Sequence, residues 1–330
     1  MEDMVFQGTV LGNVFHSDSK DAVGSVGFQE IIFADDLNAF KDLVHDETNA
    51  DAYAAMHDCQ SELHSWGRAN GVAFDAAKES MRILSHSRPH GDSFKSLGVM
   101  FDSKLLMGEA ISECACEAGW RSRFVLKCNR YYSVWELIFL YTSHILSYIE
   151  YRTAAISHAS TTALSVLDSV QVRFLRVLEV TEESALIDYS LAPLSVRRDI
   201  AILGLIHRSV IGQGPPMFAR FFRLSPPSSS APLRSSRSRS SPLHSRQLWD
   251  PCNASAPDYV LRSPLGGVRL YNILPEAIVR QPTVHEFQST LQSFLCSRVH
   301  AGDDQWKSLL SWRQPFAFHP VLAHRAWAPA

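Results

Sequence analysis

Asp35 and Asp36 are adjacent carboxylates at the end of an apolar run, Gln29-Glu30-Ile31-Ile32-Phe33-Ala34, that reads as one arm of a β-hairpin. A strand, a tight Asp-Asp turn and a second strand would set both carboxylates at one exposed corner of a sheet, where hard divalent cations bind through oxygen. Nucleotidyl transfer uses such a corner to hold two Mg²⁺ ions, one activating a primer 3′-hydroxyl and one neutralising a triphosphate. An isolated acidic pair is usually a plain surface turn, so the elements around it decide its meaning.

Those elements begin with Val23 to Phe28, a short β-type run loosened by two glycines. From Asn49 to Asn70, Tyr53, Met56, Leu63 and Trp66 recur at helical spacing, and Asn70-Gly71 closes the segment as a C-cap. Val72-Ala73-Phe74 and Met81-Arg82-Ile83-Leu84 read as strands, followed by Phe94 to Phe101, whose central Gly98 suggests a bulge or a close backbone approach. Residues 108 to 222 are almost continuously helix-patterned, with breaks near Ser157-His158, Thr181-Glu182 and Ala192-Pro193. The Ser/Arg/Pro-rich stretch 225 to 246 cannot bury enough apolar surface to order itself and reads as a flexible linker. Order is expected again at Val268 to Pro275 and in a helix-patterned Val284 to Leu295.

With 46% hydrophobic residues the chain can bury a sizeable core. Residues 1 to 60 hold 12 Asp/Glu against 2 Lys/Arg, and the remainder 22 against 29, an acidic start suited to cations and a basic remainder suited to phosphates. The six cysteines, at positions 59, 114, 116, 128, 252 and 296, have neither zinc spacing nor the density of a disulfide scaffold, and Cys114 and Cys116 fall on different faces of a helix. The N-terminus lacks a signal-peptide pattern. The longest apolar stretch, Leu137 to Ile149, is interrupted by Thr142, Ser143, His144 and Ser147, so it reads as a buried helix. A nuclear or cytoplasmic address without a membrane role is expected.

The order of motifs then gives the acidic pair its context. Phe33-Ala34-Asp35-Asp36 resembles the Phe-Ala-Asp-Asp box of non-LTR retrotransposon reverse transcriptases, and Gln7-Gly8-Thr9-Val10-Leu11-Gly12 resembles their Gln-Gly-Ser/Thr-Val-Leu box. Trp66 with Asn70-Gly71-Val72-Ala73-Phe74-Asp75-Ala76-Ala77-Lys78-Glu79 is similar to the family's Trp and Gly-Leu-x-Phe-Asn-x-x-Lys-Thr segment. Phe94-Lys95-Ser96-Leu97-Gly98-Val99, with Asp102 and Leu105, is similar to its Leu-Gly-Val-x-x-Asp-x-x-Leu hairpin. The likeness continues through Tyr148-Ile149-Glu150-Tyr151, Leu167 to Phe174 and Leu194-Ser195-Val196-Arg197-Arg198, as in the helical region of jockey-like elements, and reaches Tyr271-Asn272-Ile273-Leu274-Pro275.

The resemblance implies an α+β chain: a truncated palm-type antiparallel sheet with packed helices over 1–107, a helical thumb-like domain over 108–224, a linker over 225–262 and a tail with a short helix over 263–330. It implies an RNA-directed DNA polymerase site in which Asp35 and Asp36 hold Mg²⁺ or Mn²⁺ and Lys78 protonates the leaving pyrophosphate. Gln7, Gly8, Phe33 and Ala34 would line the nucleotide and template pocket, and Lys95, Leu97 and Gly98 would form the primer grip. Arg121, Arg123, Lys127 and Arg130, near Tyr131 and Tyr132, would follow the backbone of an RNA-template and DNA-primer duplex, with deoxynucleoside triphosphates as substrates. Each has a plainer alternative: an exposed lysine at Lys78, a β-turn with a buried leucine at Leu97, a solvated helix face for the cations.

Departures from the family set a further expectation. Only six residues precede Gln7, so the upstream metal-binding aspartate and the fingers are absent from this sequence, and Asp18 and Asp21 sit in the wrong place to substitute. Little or no polymerase activity is therefore expected, with an open palm edge that invites pairing with another chain. A non-catalytic RNA or template-primer binding module and a functionless retroelement relic are the alternatives.

Overall fold

The computed structural model describes residues 16–33, 36–44, 46–75, 77–225, 244–252 and 256–313. Among the described residues the chain is a mixture of helix and strand with two small two-stranded antiparallel sheets, and it divides into two compact units, Met1–Phe94 with Asp102–Leu105, and Lys95–Phe101 with Leu106–Ala330.

In the first unit α1 (Ser19–Ser25) leads into a hairpin of β1 (Gln29–Phe33) and β2 (Asp36–Phe40), with Gln29 opposite Phe40 and Phe33 opposite Asp36. α2 (Asn49–Asn70) packs beside it, nucleated by a capping box in which Thr48 Oγ1 accepts from Asp51 N and the Asp51 carboxylate accepts from Thr48 N. Gly71 ends α2 in the left-handed conformation that the Asn-Gly pair predicts. The shared core is small, built on Val23, Phe28 and Cys59. Val23 is buried on a helix, so the expected β-type run begins only at Gln29. Nor do Val72–Phe74 and Met81–Leu84 form strands. Phe74 stacks on His64 instead, and Ile83 makes a single bridge to His90.

β3 (Phe94–Ser96) and β4 (Val99–Phe101) form a second hairpin, with Gly98 in its turn rather than at a bulge. Leu97 (φ 47°) and Gly98 (φ 76°) both adopt positive φ, the geometry of a two-residue turn whose twist matches the strands.

The rest of the second unit is helical. α3 (Gly108–Leu126) packs along its buried face on α5 (Thr161–Val177), and α4 (Val134–Tyr141) opens on a Ser133–Glu136 capping box. α4 runs through a π turn, Thr142–Leu146, into a further turn, Ser147–Glu150. Leu137, Tyr141, Ile145 and Ile149 are buried at intervals of four, a row that winds around an α-helix of about 3.6 residues per turn. The wider π turn brings it back onto one face.

α6 (Glu182–Tyr189) and α7 (Leu194–Val210) follow, and α7 is buried on nearly all sides between two apolar clusters. α9 (Val284–His300), reached through α8 (Pro264–Tyr271), crosses α7 closely: a Cβ on Gly204 would fall 2.4 Å from Gln288 Nε2. The expected linker over 225–262 is shorter than its composition suggested. His244, Leu248 and Cys252 are buried, and the helix Asp258–Arg262 adjoins α8. The segment 263–313 is likewise part of this core through Tyr271, Phe287, Leu291 and Trp306.

Among the described residues, no helix is long and apolar enough to cross a membrane.

Two side chains test this core. Tyr141, packed against Phe174 with ring centroids 4.5 Å apart and planes tilted by 30°, is fully buried with no hydrogen-bond partner for its hydroxyl among the described residues. Tyr141→Phe should therefore raise the melting temperature, by about 1 kcal/mol of stability; a fall in a thermal melt would mean the hydroxyl is bonded. Burial pushes the Asp199 carboxyl up to about 7, against the pull of Arg313, Arg198 and the Ser311 hydroxyl. A folded-state value above the unfolded one gives stability that is full at acid pH and lost as pH rises toward about 7. The melting temperature of Asp199→Asn relative to the native chain should climb between about pH 5 and about pH 8, and a flat difference would refute the shift.

Candidate catalytic turn and nucleic-acid interface

Phe33 pairs with Asp36, so two residues, Ala34 and Asp35, connect the strands. Both lie outside the described residues, as do Gln7 and Gly8. Asp36 is exposed at the first position of β2, and Phe33, 58% exposed, stands across from it on β1. Carboxylate oxygens are the right donors for Mg²⁺ or Mn²⁺. Among the described residues, which do not include Asp35, no cluster of three or more His, Cys, Asp or Glu could hold a metal ion. Asp18 is committed elsewhere, accepting from Trp66 Nε1 at 3.0 Å, and Asp21 lies on the first turn of α1.

Lys78 is exposed in the turn after α2, with its amide donating to Asp75 O. The segment around it is laced to α2: Val72 N donates to Gly67 O, Phe74 covers Gly67 and His64, and Glu79 accepts from Gln60 and from His64 Nε2 at 2.8 Å. The Gln60 hydrogen bond, aided by His64, holds the Glu79 carboxyl below the usual carboxylate range. The lysine's backbone is thus fixed while its ammonium is free to reach outward.

The β3–β4 turn is anchored from below. Leu97 O accepts from the Tyr151 hydroxyl at 2.7 Å, and Gly98 O accepts from Arg152 at 3.4 Å. Leu97 itself is 42% exposed, so the turn is not built over a buried leucine. Lys95 is exposed and 3.9 Å from Glu113.

The four helical cations divide into different kinds. Arg121 is structural: its Nε donates to Glu117 at 2.8 Å, another nitrogen donates to His144 O, and its guanidinium lies 4.1 Å from the centre of the Tyr148 ring. Arg152 covers the same ring at 4.0 Å, so Tyr148 joins two cations that nothing in the sequence spacing connects. Arg123 and Lys127 are exposed and carry no ion pair among the described residues, and Arg130 lies over Tyr131 at 5.4 Å. Sequence reasoning also passed over two exposed aromatic pairs, Trp120 with Phe124 and Trp135 with Phe139, although their spacing of four on polar helix faces was the available signal.

Three other motif segments meet through charge. Arg197 Nε donates to Glu150 at 2.5 Å, Arg198 grips Asp168 through two bonds of 2.6 and 2.9 Å, and Gln171 donates to Ala192 O. The Tyr271–Pro275 motif is likewise built in, with Asn272 pairing both backbone groups of Leu248.

No family model, curated protein or solved structure matches this chain.

Arg121→Ala should lower stability by ~1 kcal/mol through lost cation–π and ion-pair contacts, whereas Arg123→Ala and Lys127→Ala should leave the melting temperature unchanged. Equal losses at all three positions in thermal melts would refute this division.

Proposed function

We propose that this chain is part of a non-LTR retrotransposon reverse transcriptase: a palm-type portion with its metal-binding turn, then a thumb-like helical domain. The hairpin register carries the reading, because Phe33 opposite Asp36 puts the acidic pair at the end of an antiparallel hairpin, where the resemblance to the Phe-Ala-Asp-Asp box would have it. Support also comes from the way the segments around Glu150, Asp168 and Arg197-Arg198, picked out for their likeness to one family, pair with one another.

In that reaction class divalent cations neutralise charge on the attacking and leaving oxygens. Asp35 and Asp36 are the residues of this chain that would hold them. Lys78, exposed after α2, would be the proton donor to the leaving pyrophosphate, and the Leu97-Gly98 turn, held by Tyr151 and Arg152, would support a primer strand. RNA template, DNA primer and deoxynucleoside triphosphates are the corresponding partners, in the nucleus or cytoplasm. The second reading, a module that holds template-primer without copying it, is favoured by one observation: Arg123 and Lys127 are exposed and carry no ion pair among the described residues.

Primer extension on an RNA template with Mg²⁺ or Mn²⁺, beside an Asp35→Ala/Asp36→Ala control, tests both. The chain by itself should extend little or not at all yet still bind template-primer. Binding should weaken steeply with salt, and the log–log slope should drop by roughly one for each of Arg123→Gln, Lys127→Gln and Arg130→Gln. Extension abolished in the control would establish the polymerase and overturn the non-copying module. Absence of both extension and binding would sink both readings.

A further inference from the structure

Trp120, Phe124, Trp135 and Phe139 are 57%, 61%, 62% and 58% exposed, and nothing in the fold requires them outside. The opposite faces of α3 and α4 are already buried, through Ile111, Cys114 and Ala118 on one and Leu137, Ile138 and Tyr141 on the other. Within each pair the rings lie nearly parallel, 20° apart for Trp120 and Phe124 and 9° for Trp135 and Phe139, at centroid separations of 6.1 and 5.8 Å. Parallel rings on a surface form a short stack with outer π-faces open, the arrangement onto which another planar ring adds.

From Trp120 onward the charge along α3 is of one sign, and Glu117, one turn before it, is paired with Arg121. Residues 118 to 135 contain Arg121, Arg123, Lys127 and Arg130 but no Asp or Glu. Glu136, the next acid, has its carboxylate bound into the Ser133 cap. Positions 120, 123, 124 and 127 follow the i, i+3, i+4, i+7 spacing of a single helix face. That face therefore alternates ring and cation along its length. A lipid surface calls for a continuous apolar strip with cations at its margins. A duplex offers phosphates but keeps its base faces stacked on one another. An unpaired strand offers phosphates and open base faces in alternation.

We infer that the outer face of α3 and α4 binds single-stranded nucleic acid, its bases stacking on the Trp120/Phe124 and Trp135/Phe139 pairs and its phosphates meeting Arg123, Lys127 and Arg130. This deepens the nucleic-acid reading above and rests on it, but not on the carboxylate turn. It also changes the substrate of this face from duplex backbone to unpaired strand.

The test is a titration of the full chain with fluorescein-labelled oligothymidylate, with a mixed-sequence duplex of equal length, and with phosphatidylserine/phosphatidylcholine vesicles. Anisotropy and intrinsic tryptophan fluorescence are followed for the native chain, Trp120→Ala, Trp135→Ala and Arg123→Gln/Lys127→Gln, with circular dichroism confirming that each variant folds. Oligothymidylate should quench tryptophan emission and bind tighter than duplex. Each tryptophan variant should lose about tenfold in affinity for the single strand and little for the duplex, while the cation variant weakens both.

Duplex bound as tightly as single strand, with the tryptophan variants indistinguishable from the native chain, would overturn the stacking proposal and leave the nucleic-acid reading standing. Failure to bind either nucleic acid would overturn both. Binding to vesicles alone would assign the face to a membrane surface, and self-association lost in the tryptophan variants without oligonucleotide binding would assign it to a second copy; either result overturns the proposal.

Discussion

Three consecutive residues at the start of α7 hold the second unit in register. Arg197 reaches Glu150 at the end of the helical stretch begun by α4, Arg198 grips Asp168 on α5 with two bonds, and Asp199 is buried near Arg313 and Ser311 from the end of the described chain. Arg313 in turn donates to the carbonyls of Ser157 and Ala159, and Arg262 to that of His158, so the turn before α5 is held from the C-terminal side. Burying charge costs solvation that pairing only partly returns. What such a cluster supplies is specificity, since a shift of α7 by one residue would leave Arg198 and Asp199 buried without their partners.

That register also positions the parts of this unit open to solvent. Glu150, Tyr151 and Arg152 are consecutive; the first is tied to α7, and the other two hold the Leu97 and Gly98 carbonyls. The β3–β4 turn therefore inherits its placement from α7 through one short segment. Arg152 extends the connection to Tyr148, whose ring it shares with Arg121. A chain of packed cations and rings thus runs from the buried first turn of α7 to the cationic face of α3.

Much of this architecture was legible in the sequence wherever the signal was local. The helix over 49–70 and its Gly71 cap, the opposite fates of Cys114 (buried) and Cys116 (exposed), and the helical breaks near 157, 181 and 192 follow from periodicity and capping chemistry. What was not legible depended on distant partners. Val72–Phe74 has strand composition, but its aromatic ring found His64 on α2 before any strand found its backbone. Residues after 243 read as linker by composition, yet His244 and Arg246 are fixed by the carbonyls of Tyr271, Val279 and Gln281, some thirty positions away. At the candidate site the Asp pair could be read as the end of a hairpin. That Arg121 is structural while Arg123 is free could not, because Tyr148 and His144 reach Arg121 from another helix.

The first unit is held far less firmly. A two-stranded hairpin is marginal on its own, and β1–β2 leans on a core of three buried apolar side chains against two extended clusters in the second unit. Its inner positions, Glu30, Ile32, Leu37 and Ala39, are half-buried, whereas Ile31 and Phe33 point the other way and stay exposed. Apolar residues on both faces of a strand are the pattern of a sheet covered on both sides, not of a hairpin at a surface. β1 thus carries the side chains of a covered strand in a hairpin whose outer face is bare among the described residues, so further strand pairing or cover over Ile31 and Phe33 would stabilise it.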